Sequence, residues 1–344
     1  ARRMSEEGWI GMGWPKEHGG QERPPIERVI VAEEMISVGA PIAAMWFADR
    51  QMGPTLIAYG TPDQQAEYLP AMLAGETTWC IGMSEPDSGS DLASLKTSAV
   101  RDGDHFVING QKIWTSFGDQ ADYCYMICRT DSEGPPHKGI SEIVVPMDLP
   151  GIEVRPIQDM TTNRHFCEIY FTDVRVPLTN AIGGPGEAFA IAQGRLGPGR
   201  VHHCMRLIGL AEMALKLACE RGLERTAFGK PLANLGGNRE RIAEARIAID
   251  STRLLVLNAA WKLDVGGPLN ALSEVAQIKV AAPTMAQQVV DMAMQLHGGG
   301  GLSDDHPLAG AWTNARALRL ADGPDEVHRG LIARLELGKY GASR

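Results

Sequence analysis

The hydrophobic pattern of this chain changes period twice, and that double switch narrows the fold more than any other feature. Residues 1 to about 76 carry helix signals, the next hundred or so read as strands, and the rest is helical again. In the first block, "PPIERVIVAEEMISVG" places Val29, Ala32 and Ile36 on one face, with prolines at its start and Gly39 at its end. "TPDQQAEYLPAMLAGE" opens with Thr61 as an N-cap and Pro62 at the first helical position. The second block holds "TTWCIGMSE", "DHFVINGQKIWTS", "DYCYMICRT", "SEIVVPMD" and "CEIYFTDVRVP". In the last of these, Cys167, Ile169 and Phe171 alternate with Glu168, Tyr170 and Thr172, as a half-buried strand requires. Asp102-Gly103 and Asn109-Gly110 are hairpin signals. No helices separate these runs, so they predict an antiparallel barrel or sandwich and not a βαβ array. After "GGPGEAF" come three stripes: Leu254, Leu257 and Trp261; Val275, Ile278 and Ala282; Val289, Met292 and Leu296. They predict four or five long helices in a bundle. The expected fold is α+β, with an N-terminal helical domain (1–76), a central antiparallel β-barrel-like domain (77–183) and a C-terminal four-helix bundle (184–344).

Composition removes whole classes of function. A formal net charge of −9 argues against nucleic acid as a main partner, because phosphate binding needs a basic face. Anionic small molecules stay open, since a few placed arginines suffice for them. The six cysteines are scattered without a C-x-x-C pair and read as reduced core residues. No apolar run is long enough to span a bilayer. The start, "ARRMSEEGWIGMGWP", has no apolar signal core and enters in mid-pattern, which predicts an earlier segment. No metal site is expected: His202, His203 and Cys204 are adjacent and point in different directions on a helix, and no H-x-x-x-H spacing occurs.

The remaining motifs each carry a bland and a chemical reading. "GMGWP" lacks the third glycine of a dinucleotide fingerprint, and no P-loop is present. The four glycines of "QLHGGGGL", Gly298 to Gly301, end a helix; one glycine suffices for a C-cap, so the others suggest a backbone that approaches a ligand. "SEPDSGSDLAS" is a polar helix-capping loop, or a loop whose N–H and hydroxyl groups hold a polar cofactor. "LERTAFGKPL" is a solvated helix end, or an arginine for a pyrophosphate with Phe228 as an aromatic lid. In "LADGPDEVH" the acids Asp322, Asp325 and Glu326 suit a helix start, with Gly323 or Asp322 as cap, Pro324 at N1, and Asp325 and Glu326 on the dipole.

Taken together, "GMSEPDSGSDLASLKT", "INGQKIWTS", "LERTAFGKPL", "AMQLHGGGGL" and "RLADGPDEVHRG" resemble, in order and spacing, the acyl-CoA dehydrogenase family over essentially the whole chain. "RLGPGRVHHCMR" with "LRLADGPDEVH" looks like the subgroup that in animals is fused behind a kinase-like domain. The resemblance implies FAD as cofactor and α,β-dehydrogenation of an acyl-CoA thioester to the trans-2-enoyl-CoA, as in the β-oxidation of fatty acids. It implies that Ile81, Met83 and Ser84 lie along the flavin, that Ser90 lies near the pantetheine arm and FAD, and that Trp114 packs on the ring. Ser116 stands where the family has a ring-bonding threonine. Arg225, Phe228, Gln295, Gly298 and Gly299 fall on positions that hold the FAD of a neighbouring subunit, which implies a homodimer or homotetramer with shared sites. Arg200 and Gly323 match substrate-side positions, and Asp322 falls where medium-chain members carry a glutamate base. An electron-transfer flavoprotein is the implied electron acceptor. The implied location is cytoplasmic in a prokaryote, otherwise an organelle matrix.

Departures from the family pattern sharpen the expectation. Aspartate is one methylene shorter than glutamate, on the order of 1 Å of reach. The alternative base position of some relatives is Gly199, which has no side chain. Pro324 and Glu326 replace a Thr and a Gln that touch FAD, Leu235-Gly236 replaces a His-Gln pair, and Gly197 replaces a polar residue that helps hold CoA. A carboxylate between flavin and acyl chain is desolvated, which raises its basicity. Two other functions fit the same residues. One is a flavin oxidase of the superfamily, such as a nitroalkane oxidase, which also uses an aspartate base. The other is a non-catalytic subunit of a mixed assembly, against which Asp322 argues.

Overall fold

Proline and glycine punctuation sets the first helices: α1 (Arg2–Glu6), α2 (Pro25–Ser37), α3 (Ala43–Phe47), α4 (Gly53–Tyr59) and α5 (Pro62–Leu73). The computed structural model describes residues 1–341, apart from the side chains of Ala44, Gln193, Arg195 and Leu196. α5 begins as expected. Gln64 N donates to Thr61 Oγ1 at 3.3 Å while Thr61 N donates to Gln64 Oε1 at 2.9 Å, a reciprocal capping box. Gln64 Nε2 also donates to the carbonyls of Thr179 and Ala181, which ties α5 to the far end of the sheet.

The sheet comprises β1 (Trp79–Gly82), β2 (Ser98–Asp102), β3 (His105–Ser116), β4 (Tyr123–Arg129), β5 (Ile140–Pro146), β6 (Ile152–Ile157), β7 (Phe166–Pro177) and β8 (Ala181–Ile182). Their order is β6-β7-β3-β2-β4-β5-β8, with β1 on β4. Pairing is antiparallel throughout except at β4, where β1 pairs in parallel and β2 joins in parallel through Ser98 and Arg129. The Asp102-Gly103 hairpin forms, with Asp102 opposite His105. Asn109-Gly110 does not turn the chain. It lies inside β3 at a register shift against β7, because Gly110 (φ 149°) lets the backbone press on Thr97, where a Cβ would lie 2.5 Å from the hydroxyl oxygen.

One side of this sheet hides an ion pair that the sequence reading did not single out. Lys112, on β3, is fully buried and donates from Nζ to Glu85 Oε1 at 2.8 Å and to the Met83 carbonyl at 3.1 Å. Glu85 also accepts from the backbone N–H groups of Lys96 (2.6 Å) and Thr97 (2.9 Å). Burial pushes the Glu85 carboxyl up, but Lys112 and the N–H donors outweigh it and hold the carboxyl below its usual range.

The helical region contains α6 (Ala188–Glu224), a short hairpin of β9 (Thr226–Ala227) and β10 (Lys230–Pro231), then α7 (Asn238–Asn270), α8 (Leu272–His297), α9 (Leu308–Ala317) and α10 (Asp325–Gly338). Two compact units result: residues 1–23 with 42–196, and 24–41 with 197 onward. α2 therefore packs with the bundle helices, where a Cβ on Gly209 of α6 would lie 2.4 Å from the Glu33 carbonyl oxygen. The stripes on α8 are buried as expected, with Val275, Ile278, Ala282, Val289 and Leu296 in the core. The stripe on α7 is not, apart from Leu257, which is partly buried against the core. Leu254 and Trp261 face out at 68% and 55% exposure, and the buried face is Ala245, Ile249, Thr252, Val256 and Ala259–Ala260. Close helix packing there selects small side chains, so the largest apolar residues mark the wrong side. α7 is also interrupted at Gly267 (φ 70°), just before Pro268. The cysteines are free; five are buried and Cys219 is partly so. Among the described residues no helix is long and apolar enough to cross a membrane.

Two stability predictions follow from the sheet. Gly110→Ala combines a positive φ with a collision at Thr97 and should destabilise by about 1–3 kcal/mol, read as a lowered thermal midpoint. Glu85→Gln leaves Lys112 buried without a charged partner, and at pH 7 the midpoint should fall by roughly 5–10 °C. The Glu85 carboxyl is depressed in the fold, so its contribution is complete above the ordinary value of 4.5 and is lost as pH falls through the folded value. Glutamine imitates the protonated acid. The gap between the two proteins should therefore narrow as pH falls below 4.5 and close once it has passed the folded value, and a gap that stays constant with pH would exclude the ion pair as its source.

Candidate active site

The turn between α9 and α10 separates the three acids of "LADGPDEVH". Asp325 opens α10 and is buried; its Oδ2 accepts two 2.8 Å contacts from Nε and Nη2 of Arg319. Glu326 is exposed. The N-cap is Pro324, with Asp325 at N1, one residue later than expected, because Asp322 and Gly323 both take positive φ (54° and 96°) and leave the helix path. Aspartate and glycine tolerate that region where most residues do not. A Cβ on Gly323 would come within 3.1 Å of the His328 ring.

Donors from three helices hold this turn by its carbonyls. Lys279 of α8, fully buried, donates from Nζ to Leu318 O (2.5 Å) and Ala321 O (2.8 Å). Arg200 of α6 donates from Nε to Asp322 O at 3.1 Å. His328 of α10 donates from Nε2 to the same oxygen at 3.3 Å. Burial, with Arg200 and Lys279 nearby, pushes the His328 imidazole down to about 4, so it is neutral at ordinary pH. Burial also lowers the Lys279 ammonium and the Arg200 guanidinium from their usual values.

The Asp322 side chain meets α6. His203 Nε2 lies 2.7 Å from Asp322 Oδ2, and His203 Nδ1 lies 2.7 Å from a terminal nitrogen of Arg206. The His203 side chain is 7% exposed and that of Asp322 is 24% exposed, so the carboxylate is held from inside and open on one side. Burial lowers the His203 imidazole, although Asp322 pulls it up. A carboxylate so placed can take a proton from a molecule on its open side. The sequence reading set His203 aside as a metal candidate and missed Arg206, Lys279 and His328. The spacing of His203 and Arg206, three apart on one helix, was the available signal. Among the described residues no group of three metal-ligating side chains forms.

The other expected site residues fall in local groups. Ile81, half-buried on β1, precedes Met83, whose carbonyl is held by Lys112, and Ser84, whose carbonyl accepts from Ile113 N at 2.9 Å. Ser90 is exposed on the loop beyond. Trp114 sits at a bulge of β3 with φ 61°, which turns its indole outward to 57% exposure, edge-on to Phe166 at 6.1 Å. Ser116 is half-buried two residues on. In the second unit, Phe228 (φ 51°) and Gly229 (φ 74°) form the two-residue turn between β9 and β10, and Phe228 stands 94% exposed close to the exposed Arg225. Gln295 is exposed near the end of α8. Of the four glycines after it, Gly298 has φ 63° and Gly301 touches Met294, while a Cβ on Gly298 or Gly299 would meet open space.

Comparison with known proteins gives one answer. Residues 1–76 match the acyl-CoA dehydrogenase N-terminal domain, 80–174 its middle domain and 186–337 its C-terminal domain. Acyl-CoA dehydrogenase family member 10 of Mus musculus is 46% identical over 82% of this chain and 27% of its own length. Family member 11 of Homo sapiens is 46% identical over 81% of this chain and 37% of its own length. The chain thus spans about a third of these curated relatives. A Mycobacterium abscessus structure named for the same family superposes with a TM-score of 0.91 at 49% identity, covering 98% of this chain and 86% of that one. This chain belongs to the acyl-CoA dehydrogenase family, whose members are FAD flavoproteins.

Proposed function

We propose that the protein dehydrogenates an acyl-CoA thioester between Cα and Cβ, with Asp322 as the base that removes the α-proton. The observation that carries this reading is the placement of Asp322: a carboxylate open on one side, in a turn pinned by Lys279, Arg200 and His328. Gly199 offers no competing side chain. The backbone N–H of Asp322 is the donor that polarises the thioester carbonyl, so that negative charge on its oxygen is stabilised as the proton leaves. Gly323 completes that edge of the site. Arg200 supports it by fixing the Asp322 carbonyl.

The residues present fit a flavin. An outward indole on a strained bulge (Trp114) offers a stacking face, and Ser84 and Ser116 carry hydroxyls on neighbouring segments. FAD, when bound, supplies the hydride acceptor at N5. Ile81, Met83, Ser84, Ser90, Trp114 and Ser116 would hold its ring side, with Ser90 also toward the acyl-CoA. Arg225, Phe228, Gln295, Gly298 and Gly299 would hold the FAD of a neighbouring copy, and Glu326 would touch FAD at the start of α10. The bare Phe228 and the open glycine backbone support a site shared between subunits of a homodimer or homotetramer. An electron-transfer flavoprotein is the proposed acceptor.

Asp322→Asn should retain FAD and acyl-CoA binding and lose turnover by about 10²–10⁴-fold. Anaerobic bleaching of the flavin by acyl-CoAs of graded length, with branched and hydroxylated forms, checks both the reaction and its substrate. Bleaching by a nitroalkane and by no acyl-CoA would assign the oxidase chemistry instead, and near-normal turnover in Asp322→Asn would remove Asp322 from the mechanism.

A further inference from the structure

We infer that His203 is a positioning residue for Asp322: a neutral imidazole with its proton on Nε2, locked in that tautomer by Arg206, that aims the carboxylate of the base. The inference rests on the reading of Asp322 as base and adds to it a residue and a protonation state.

The tautomer follows from the partners. A guanidinium nitrogen only donates, so the 2.7 Å contact between Arg206 and His203 Nδ1 requires Nδ1 to accept. The neutral ring must then carry its proton on Nε2, which donates to Asp322 Oδ2 at 2.7 Å. An imidazolium would set an N–H against an N–H at Arg206, and burial of the ring disfavours it as well. His203 and Arg206 are both buried, at 6% and 9% exposure, so water does not readily substitute for either contact. The chain Arg206–His203–Asp322 is thus directional, each member donating to the next.

Three consequences bear on the reaction. Oδ2 accepts from His203, so an α-proton taken by the carboxylate's other oxygen leaves that contact in place, and the C–H electron pair stays on the substrate. The acid so formed still accepts at Oδ2, so the contact survives proton transfer and the base does not swing away. A short side chain held on both its backbone and its carboxylate has little freedom, and in this site positional error is costly. Among the described residues, the charged and titratable groups around the carboxylate are His203, Arg206 and Arg200 from α6, Lys279 from α8, and His328 and Asp325 from α10. His203 donates to a carboxylate oxygen at 2.7 Å, so its removal should raise the carboxyl's apparent pKa by withdrawing a donor to the charged form.

The test compares holoenzyme carrying His203→Leu, His203→Gln and Arg206→Met. Flavin absorbance and its perturbation by acyl-CoA report binding; anaerobic bleaching against pH reports proton removal. His203→Leu should bind both ligands within about 3-fold of wild type, bleach about 10²-fold more slowly, and show its acid limb at higher pH. His203→Gln, whose amide can donate near the Nε2 position, should recover most of the rate and the original limb. Nitrogen NMR of histidine-labelled wild-type protein should show one neutral ring with the proton on Nε2, and in Arg206→Met, where Nδ1 no longer faces an obligatory donor, that ring should take its second proton at higher pH than in wild type. A wild-type rate and pH limb in His203→Leu, a His203→Gln no better than His203→Leu, or an Nδ1–H ring would each overturn the inference. Should the leucine variant fail to fold, the glutamine variant and the NMR decide. Turnover surviving in Asp322→Asn would instead strike the base assignment, an outcome that the tautomer measurement does not share.

Discussion

A buried ammonium group sets the geometry of the site. Lys279 lies inside the bundle, where an isolated charge costs several kcal/mol, and donates to two carbonyls at the end of α9. Those carbonyls are the negative end of a helix and would otherwise be unmet acceptors. Satisfying them from one point forces the chain to leave α9 abruptly. Asp322 and Gly323 then take positive φ before Pro324 restarts the chain toward α10. The position of the Asp322 backbone is therefore fixed from α8, α6 and α10 as well as by the local bonds of the turn.

That constraint accounts for an aspartate at this point. Residue 322 occupies the left-handed region, where aspartate is among the better-tolerated side chains and a longer one gains nothing from local hydrogen bonding. The lost reach is met by the neighbourhood. Arg200 and His328 fix the carbonyl, and His203 fixes the carboxylate, so the side chain is short but not loose. A glutamate here would keep its backbone anchors and displace its carboxylate from His203.

The layered architecture was legible in the sequence because hydrophobic period is local: alternation at Cys167–Phe171 and stripes on α8 reach the core that they predict. Where legibility failed, a non-local demand outweighed a local signal. Asn109-Gly110 reads as a hairpin but becomes a bulge, because the approach of Thr97 needs a residue without Cβ. Leu254 and Trp261 of α7 face outward because the face packed against the neighbouring helices is that of Ala245, Ile249, Val256 and Ala260. Asp322 and Arg200 could be singled out by family pattern, yet their contact with each other, and the part played by His203, could not. His203 and Arg200 lie 119 and 122 residues away in sequence, and histidine, arginine and lysine on amphipathic helices look like ordinary surface residues until the fold brings them inward.

The same device recurs in the first unit, with a different response to pH. Lys112 is as buried as Lys279 and also donates to a main-chain carbonyl, that of Met83, beside the segment that carries Ser84. Lys112 has Glu85 as a charged partner, whereas Lys279 donates to carbonyl dipoles. A carboxylate partner can be neutralised by acid; a carbonyl cannot. Acid should therefore loosen the Met83–Ser84 segment through Glu85 before it affects the contacts of Lys279, while at Asp322 it acts on the carboxylate proposed as the base. The two buried lysines do the same structural task, but only the one in the sheet ties local rigidity to a titrating group.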